Sequence, residues 1–418
     1  MLTTHTLLVD HGRIIDLLPT PQTQELEVLE RVDLTGHLLM PGLVNLHTHA
    51  AMSLMRGLAD DLPLMRWLQD HIWPTEAAHA SADFVRDGTL LACAEMLRGG
   101  VTCFNDMYFF PEAAGRAALQ AGMRASLGMI ALEFPTAYAA DPQDYLGKGL
   151  AMRDALRGEP LLSFCFAPHA PYTVSDDTFA RVLTYARQLE TPIHVHLHET
   201  VQEIADSEAA FGMRPIARLD RIGLIGPDMI AVHAVHLDDA DIETLARRGA
   251  HVAHCPSSNL KLASGFAPVS RMTAAGINIG LGTDSAASNN RLDLFAELRL
   301  ASLLAKAVSG SAEALPAFDA VEMATLGGAR ALGLDKLIGS LEPGKSADII
   351  AIDMAVPELQ PCFDPISQVV YAAGREHVTD VWVAGKRLVD SRRTTTIDCA
   401  ELAARVLGWQ QRLVARSG

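Results

Sequence analysis

Eight short apolar runs, each ending in or followed by polar residues, constrain the fold of this chain more than any other feature. They are LVNLH (43–47), VTCFND (101–106), RASLGMIAL (124–132), LLSFCFAPH (161–169), PIHVHLHE (192–199), MIAVHAVHL (229–237), GAHVAHCP (249–256) and INIGLGTD (277–284). Runs of this kind between helix-length segments are typical of parallel strands buried on both faces. Eight of them predict an α/β fold, a parallel (β/α)8 TIM barrel. An open doubly wound sheet is the alternative, but no glycine-rich phosphate loop follows the first strand.

Both ends of the chain have a different pattern, that of a small β domain. The N-terminal runs HTLLVD (5–10), GRIIDLL (12–18) and RVDLTGHLLMPG (31–42) resemble antiparallel strands, as do 339–353 and 378–390. Because neither end alone makes a sheet with a buried face, we expect the two ends to pair. The sequence therefore predicts a composite β-sandwich domain from residues 1–40 and 341–418, with an amphipathic C-terminal helix over 400–416, beside a barrel over 41–340.

Composition excludes several classes of function. The chain has 418 residues and a formal net charge of −16, with no cluster of Lys and Arg that would bind the phosphates of a nucleic acid. Six cysteines without CxxC spacing indicate reduced thiols, and the N-terminus lacks a signal-peptide core. We expect a cytoplasmic protein that is not inserted in a membrane, acts on a small molecule and forms a homo-oligomer.

Polar residues collect where the predicted strands end, the edge at which barrel enzymes carry their active sites. His47 and His49 are two positions apart, so both imidazoles can face one divalent ion, although hydrogen-bonded histidines give the same pattern. The fifth run carries His194, His196 and His198 on one face of a regular strand, and spacing cannot say which of them binds. Asp284 ends the eighth run as a metal ligand or base would, or as a helix N-cap.

Several motifs together resemble one known family. They are PGLVNLHTHAAMSLMRGLADD, HAPYTVSD, HLHE, HCPSSNLKLASG, LGTDSAASNN and GSLEPGKSADIIAID, with the more specific DDLPLMRWLQDHIWPTE and FNDMYFFPEA. In this order along nearly the whole chain, they resemble the amidohydrolase superfamily, in particular its 5-methylthioadenosine/S-adenosylhomocysteine deaminase branch. The triazine chlorohydrolases are similar. In related hydrolases a carboxylated lysine on the fourth strand bridges two metals, but LLSFCFAPH contains no lysine, so we expect one metal.

The resemblance also implies which residues form the site. One divalent ion, zinc before iron or manganese, would be bound by His47, His49, His196 and Asp284. Glu199, His233 and Asp284 would be catalytic, whereas Glu76, His169 and Trp67, together with Glu199 and Asp284, would bind substrate. Four other histidines of the predicted strand ends are expected to be structural or to support the metal ligands: His194, His198, His236 and His254.

The implied activity is hydrolytic deamination of an adenine nucleoside to its inosine analogue and ammonia. A bound divalent ion would lower the pKa of a water toward about 7. Some relatives hold the tail of the nucleoside with arginines in the segment after the third strand, where this chain offers none beyond Arg124. This shortage favours 5-methylthioadenosine or adenosine over S-adenosylhomocysteine. The alternatives are another aminohydrolase or a triazine chlorohydrolase on the same site, or a scaffold without catalysis. The HxE and PCxxC motifs of cytidine-type deaminases do not occur.

Overall fold

The computed structural model describes residues 2–414. Eight of its strands form a parallel sheet, and the others belong to two antiparallel sheets. In chain order the strands are β1 (His5–Asp10), β2 (Arg13–Pro19), β3 (His37–Pro41), β4 (Leu43–Thr48), β5 (Val101–Asp106), β6 (Arg124–Ala131), β7 (Leu162–Pro168), β8 (Ile193–Leu197), β9 (Met229–His233), β10 (His251–His254), β11 (Asn278–Leu281), β12 (Ile349–Asp353), β13 (Val378–Val383), β14 (Lys386–Asp390) and β15 (Arg393–Thr394).

Strands β4 to β11 form the barrel, each hydrogen-bonded to the next in sequence order. They consist almost entirely of buried residues, which explains their nearly continuous apolar sequences. Polar contacts join the last strand to the first. The Asn45 side chain donates to Thr283 Oγ1 at 2.8 Å and accepts from the Thr283 backbone N–H at 2.9 Å, and Asp284 N–H donates to the His47 carbonyl at 3.0 Å.

Helices follow most barrel strands and pack around them. Side-chain caps begin several of these helices, for example Ser81 before α3, Ser175 before α6 and Thr200 before α7. The α-helices are α1 (Leu64–Trp67), α2 (Trp73–His79), α3 (Ala82–Arg98), α4 (Pro111–Ala121), α5 (Pro142–Leu156), α6 (Asp176–Leu189), α7 (Val201–Phe211), α8 (Pro215–Ile222), α9 (Asp239–Arg248), α10 (Pro256–Lys261), α11 (Val269–Ala274), α12 (Leu294–Ser309), α13 (Ala317–Glu322), α14 (Gly328–Ala331), α15 (Pro365–Tyr371) and α16 (Cys399–Val414).

The two ends of the chain share an antiparallel sheet. N-terminal β3 pairs with β12, and β13, β14 and β15 continue the sheet from there. The hairpin β1–β2 contributes Ile14 to a small apolar cluster with Ala347 and Ile349 of the C-terminal segment. The predicted fold, a parallel barrel with an antiparallel sheet built from both chain ends, is therefore confirmed. The exact domain bounds, 41–340 against 1–40 and 341–418, stay a prediction.

One buried ion pair fastens the barrel to the antiparallel sheet. Arg124 begins β6, and its guanidinium donates to both carboxylate oxygens of Asp348, at 3.0 and 3.1 Å, and to Ser346 Oγ at 3.1 Å. Arg124 and Asp348 are both almost fully buried. The arginine that the sequence offered for a substrate tail thus lies at the opposite end of its strand from the barrel mouth, where it has a structural partner.

The C-terminal helix predicted over 400–416 begins at Cys399 and extends to Val414, and residues 415 and 416 lie outside the described part of the chain. It packs on α3, where Trp409 Nε1–H donates to the buried Asp87 carboxylate at 2.9 Å. Among residues 2–414, no helix is both long and apolar enough to cross a membrane.

Candidate active site

The carboxyl ends of the barrel strands surround a cavity of about 340 Å³. Its walls are mainly apolar and aromatic, and its polar groups come from the strand ends. Every site residue predicted from the sequence lines this cavity except His47, which is fully buried next to it. The predicted residues along the cavity are His49, Trp67, Glu76, His169, His196, Glu199, His233 and Asp284.

Four side chains meet at the buried end of the cavity with their donor atoms facing one another. His47 Nε2 lies 3.2 Å from Asp284 Oδ1, and His49 Nε2 lies 3.3 Å from the same oxygen. His196 Nε2 lies 3.3 Å from His47 Nε2. His233 offers a further ligand atom, which lies close to those of His47 and His196. The structure thus brings together all four metal ligands predicted from the sequence.

Hydrogen bonds on the far side of two rings fix their tautomers. His49 Nδ1 faces the backbone carbonyl of Met107. His196 Nδ1 lies 2.8 Å from the backbone carbonyl of His169. A carbonyl can only accept, so each Nδ1 carries the hydrogen and each Nε2 of the neutral ring presents a lone pair. In its neutral form His49 points a lone pair at a carboxylate oxygen, a repulsive arrangement that a cation between them relieves.

The separations fit a zinc ion. Ligands at the usual zinc distances in a tetrahedral arrangement lie about 3.3 Å apart. Three separations in this cluster are close to that value: those of His47 Nε2 and His49 Nε2 from Asp284 Oδ1, and that of His196 Nε2 from His47 Nε2. Burial lowers the pKa of His47 to about 4 and that of His196 well below its usual value, so both rings are neutral, the form that binds a metal.

Asp284 is held by three donors from its surroundings. Its backbone is left-handed, with φ at 60°, which turns the carboxylate back toward β4. Oδ1 accepts from the Ser285 backbone N–H at 2.7 Å, while Oδ2 accepts from the hydroxyls of Ser258 at 2.6 Å and Ser288 at 2.8 Å. Burial alone would raise the pKa of Asp284, but the contact with His47 outweighs it and holds the pKa well below the usual range.

Glu199 lies beside this cluster and is buried. Its carboxylate is 3.7 Å from His233 Nε2 and 3.5 Å from the Ser264 hydroxyl. Burial raises the pKa of Glu199, and the charge of Asp284 adds to this effect whereas His233 opposes it. The Glu203 carboxylate accepts from the backbone N–H groups of His198 and Glu199, at 2.9 and 2.8 Å, which holds the turn that carries the acid.

His233 ends β9 in a left-handed conformation, with φ at 71°. Its Nδ1 is 2.8 Å from Asn259 Oδ1, an amide oxygen that can only accept. Nδ1 therefore carries the hydrogen, and Nε2 of the neutral ring faces Glu199 and His47 with a lone pair. In this position the ring can accept a hydrogen from a reacting water.

The outer part of the cavity is walled by the segment between β4 and α3. Helices α1 and α2 are joined by a π-helical turn, Leu68–Ile72, and together they place Trp67, Trp73 and Glu76 along the cavity. Trp73 packs against Phe134 with ring centroids 6.2 Å apart. Burial raises the pKa of Glu76 to about 7, while the neighbouring Tyr108 hydroxyl opposes the shift. This wall can hold a flat ring and offers one carboxyl group to hydroxyls.

A family model described as the amidohydrolase family matches residues 38–388. The chain belongs to the amidohydrolase family. The matched region includes the whole barrel and every site residue named above, so the family prediction made from the motifs is confirmed.

Relatives of this amidohydrolase match along almost its full length. A protein of Teredinibacter turnerae named 5-methylthioadenosine/S-adenosylhomocysteine deaminase is 52% identical over 98% of this chain and 93% of its own length. A 5'-deoxyadenosine deaminase of Methanosarcina mazei is 42% identical over 98% of this chain and 94% of its own. The crystal structure of an adenosine deaminase from Xanthomonas campestris with bound zinc has a TM-score of 0.97 and 50% identity, covering 99% of this chain and 94% of that one.

An atrazine chlorohydrolase from Arthrobacter aurescens, also solved with zinc, has a TM-score of 0.91 but only 23% identity. It covers 97% of this amidohydrolase and 95% of its own chain. At this identity the likeness shows the shared fold alone.

The four histidines for which the sequence predicted a structural or supporting role do not line the cavity. His194 Nε2 meets His47 Nδ1 at 3.0 Å behind the cluster, and His236 Nε2 bonds the Ser264 carbonyl. His254 is buried with both ring nitrogens unpartnered among the described residues. His198 departs from a regular strand, because β8 ends at Leu197 and φ at His198 is 56°. Its ring turns away to accept from Ile216 N–H at 3.1 Å and to bond the His236 carbonyl.

Sequence reasoning missed the residues that orient the predicted ones. Ser258, Asn259 and Ser264 lie in HCPSSNLKLASG, a motif that the sequence singled out without a role for its residues. Ser288 lies in LGTDSAASNN in the same way. Their positions beside charged groups come from the folding of loops across the barrel mouth, for which strand periodicity gives no signal. Tyr108 and Tyr172, which line the cavity, belong to such loops as well.

Proposed function

We propose that this amidohydrolase catalyses the zinc-dependent hydrolytic deamination of an adenine nucleoside, of which 5-methylthioadenosine and adenosine are the preferred candidates. The observation that carries the proposal is a buried carboxyl group of raised pKa, Glu199, beside a cluster of three imidazoles and one carboxylate. The names of full-length relatives at 42 to 52% identity support the same reaction.

The residues present fit one zinc ion. His47, His49, His196 and Asp284 would hold it, because three separations between their donor atoms are 3.2–3.3 Å, close to the tetrahedral value, and two of the rings have Nδ1 occupied by carbonyls. When bound, such an ion supplies Lewis-acid activation of a water at neutral pH. The zinc of the solved relative supports this identity over iron or manganese.

Glu199 would serve as the general acid. Burial raises the pKa of this carboxyl group and so favours the protonated form, which can donate to a ring nitrogen of the purine as water attacks the adjacent carbon. Protonation of the ring nitrogen draws electrons from the carbon under attack. The exocyclic amine then leaves as ammonia, and the purine keeps the oxygen of water.

His233 and Asp284 would handle the proton and charge of the attacking water. The Nε2 lone pair of His233 would accept a proton from that water, and the protonated ring would donate a hydrogen bond to the oxygen that develops negative charge. The proton would then pass to Glu199, 3.7 Å away, and restore the acid. Asp284 would receive a proton and pass it to the leaving amine. Its Oδ2 already accepts two serine hydroxyls, which favours Oδ1 as the atom that faces the metal site.

The cavity wall would bind the nucleoside itself. Glu76 would accept hydrogen bonds from ribose hydroxyls, while His169 and Trp67 would contact the base or the sugar. The 5' substituent would then lie against the apolar outer wall. We also propose that the enzyme works in the cytoplasm as a homo-oligomer. Four buried, unpaired cysteines support a reducing compartment: Cys93, Cys103, Cys165 and Cys255.

A substrate panel tests the proposal. The zinc-loaded protein is incubated with adenosine, 5-methylthioadenosine, S-adenosylhomocysteine, guanine and a chlorotriazine, and released ammonia and chloride are measured. We expect ammonia from at least one adenine nucleoside and no chloride. Release of chloride, or ammonia from guanine alone, would assign the site to a different hydrolase. No turnover of any compound by protein with stoichiometric zinc would support a scaffold.

A further inference from the structure

One loop contacts all three groups to which we assign the reaction. It consists of residues 257–265, the larger part of α10 and the turn that follows it, and we name it the 257–265 loop. Each contact is made by a different side chain of the loop. They run from Ser258 to Asp284 at 2.6 Å, from Asn259 to His233 at 2.8 Å and from Ser264 to Glu199 at 3.5 Å.

Asn259 lies in the helical part of this loop and is as deeply buried as its partner, His233. Both Asn259 and His233 are 1% exposed. The 2.8 Å contact from His233 Nδ1 to the amide oxygen leaves Nε2 directed at Glu199, 3.7 Å away. A ring with the other tautomer would present an N–H here in place of a lone pair, and a rotated ring would move Nε2 away from Glu199.

The backbone of Asn259 fixes the side chain in turn. Its N–H donates to the Cys255 carbonyl at 3.0 Å, and its carbonyl accepts from Ser264 N–H at 2.8 Å. The Ser264 carbonyl is bonded by the His236 ring. The position of Asn259 is therefore coupled to that of Ser264, the residue whose hydroxyl faces Glu199.

The amide nitrogen of Asn259 argues against a purely structural role for this residue. It is buried without a hydrogen-bond partner among the described residues. Leaving a buried donor unpaired costs about 1–3 kcal/mol, so a leucine of similar shape would cost less if only packing mattered. An acceptor for His233 is the property that leucine lacks.

We propose that Asn259 is a positioning residue that fixes the tautomer and the orientation of His233, with its amide oxygen as the acceptor of Nδ1–H. The proposal rests on the proposed function, because the consequence of a misplaced His233 is a slower deamination. It adds a residue that acts through another and does not contact the substrate.

Two substitutions separate this role from simple packing. Asn259→Leu keeps the shape and removes the acceptor, whereas Asn259→Asp keeps an acceptor at the same place. For Asn259→Leu we expect kcat to fall by about 10²-fold, with KM within about threefold of wild type and one zinc per chain. For Asn259→Asp we expect kcat within about tenfold of wild type. Leu260→Ala, on the same helix and partly exposed, is the matched control and should behave as wild type.

Two kinetic results would overturn the proposal: Asn259→Leu with kcat within threefold of wild type, or Asn259→Asp as slow as Asn259→Leu. If Asn259→Leu does not fold, Asn259→Ser replaces it, since a serine hydroxyl is too short to reach His233. If wild-type protein deaminates no adenine nucleoside, the proposed function fails, and a crystal structure of zinc-loaded Asn259→Leu carries the test. A rotated His233 ring supports the proposal, and an unmoved ring contradicts it.

Discussion

His47 Nε2 and Asp284 Oδ1 lie 3.2 Å apart, although His47 stands on the first barrel strand and Asp284 follows the last. The Asn45–Thr283 hydrogen bonds close the barrel next to this contact. The contact between His47 and Asp284 forms only in the closed barrel. The site is thus a product of the complete fold, and a metal bound there stabilises the closed barrel.

Metal removal should lower stability as well as abolish activity. Zinc at 100 times its Kd stabilises the folded state by about 2.7 kcal/mol, so the chelated protein should melt at a lower temperature and recover on addition of zinc. Asp284→Ala should melt at one temperature with or without zinc and bind less than one ion per chain. Metal analysis and thermal unfolding measure both effects. His11→Asn, at an exposed histidine, is the control and should respond to zinc as wild type does.

Glu76 predicts a pH dependence of substrate binding. Burial raises its pKa to about 7, so the group is protonated below that pH and a carboxylate above it. Ribose hydroxyls need the carboxylate as an acceptor. KM should therefore rise as the pH falls below about 7, by up to about tenfold per pH unit.

The control for this effect is Glu76→Gln, which keeps the shape and does not titrate. Its KM should be higher than that of wild type at pH 8 and constant between pH 5 and pH 8. Steady-state kinetics over this range measure both enzymes. The same slope of KM in both would assign the titration to another group.

The acidic groups that line the cavity predict that the enzyme discriminates between nucleosides by the charge of their 5' substituent. Among the described residues that line it, the carboxylates of Glu76, Glu199 and Asp284 have no Lys or Arg beside them. The carboxylate of S-adenosylhomocysteine would find no cation there, so kcat/KM should favour 5-methylthioadenosine by at least about tenfold. Ala137→Arg, at the exposed rim, should narrow that preference. Equal kcat/KM values for the two substrates with wild type would contradict the prediction.

The ion pair of Arg124 with Asp348 should contribute to the stability of the fold and not to substrate binding. Arg124→Met leaves the Asp348 carboxylate buried without its partner and should lower the free energy of unfolding by about 3–5 kcal/mol. Since the pair lies at the far end of β6, KM of the folded enzyme should not change. Denaturant unfolding and kinetics at low temperature measure this. The double variant Arg124→Met/Asp348→Leu should recover much of the loss, and a changed KM in either would place Arg124 nearer the substrate than the structure does.

The barrel could be predicted because it depends on a local pattern, whereas the set of four metal ligands is implied by the resemblance of the motifs to a known family. Strands buried on both faces must be apolar, and a polar residue at their carboxyl ends faces the mouth, so His47 and Asp284 were recognisable as neighbours. The turn at His198 could not be predicted, because a φ of 56° at a non-glycine residue leaves no pattern in the sequence. The contact of Asn259 with His233 depends on how one loop folds over the next strand end, which only the tertiary structure determines.

The conversion of 5-methylthioadenosine by zinc-loaded wild type and by Glu199→Gln tests the central claim most directly. Glutamine keeps the shape of the side chain and cannot donate the acidic proton. We expect ammonia release by wild type, and a decrease of about 10²- to 10⁴-fold in kcat for the variant with one zinc per chain retained. A Glu199→Gln variant that deaminates within a fewfold of wild type would contradict the account.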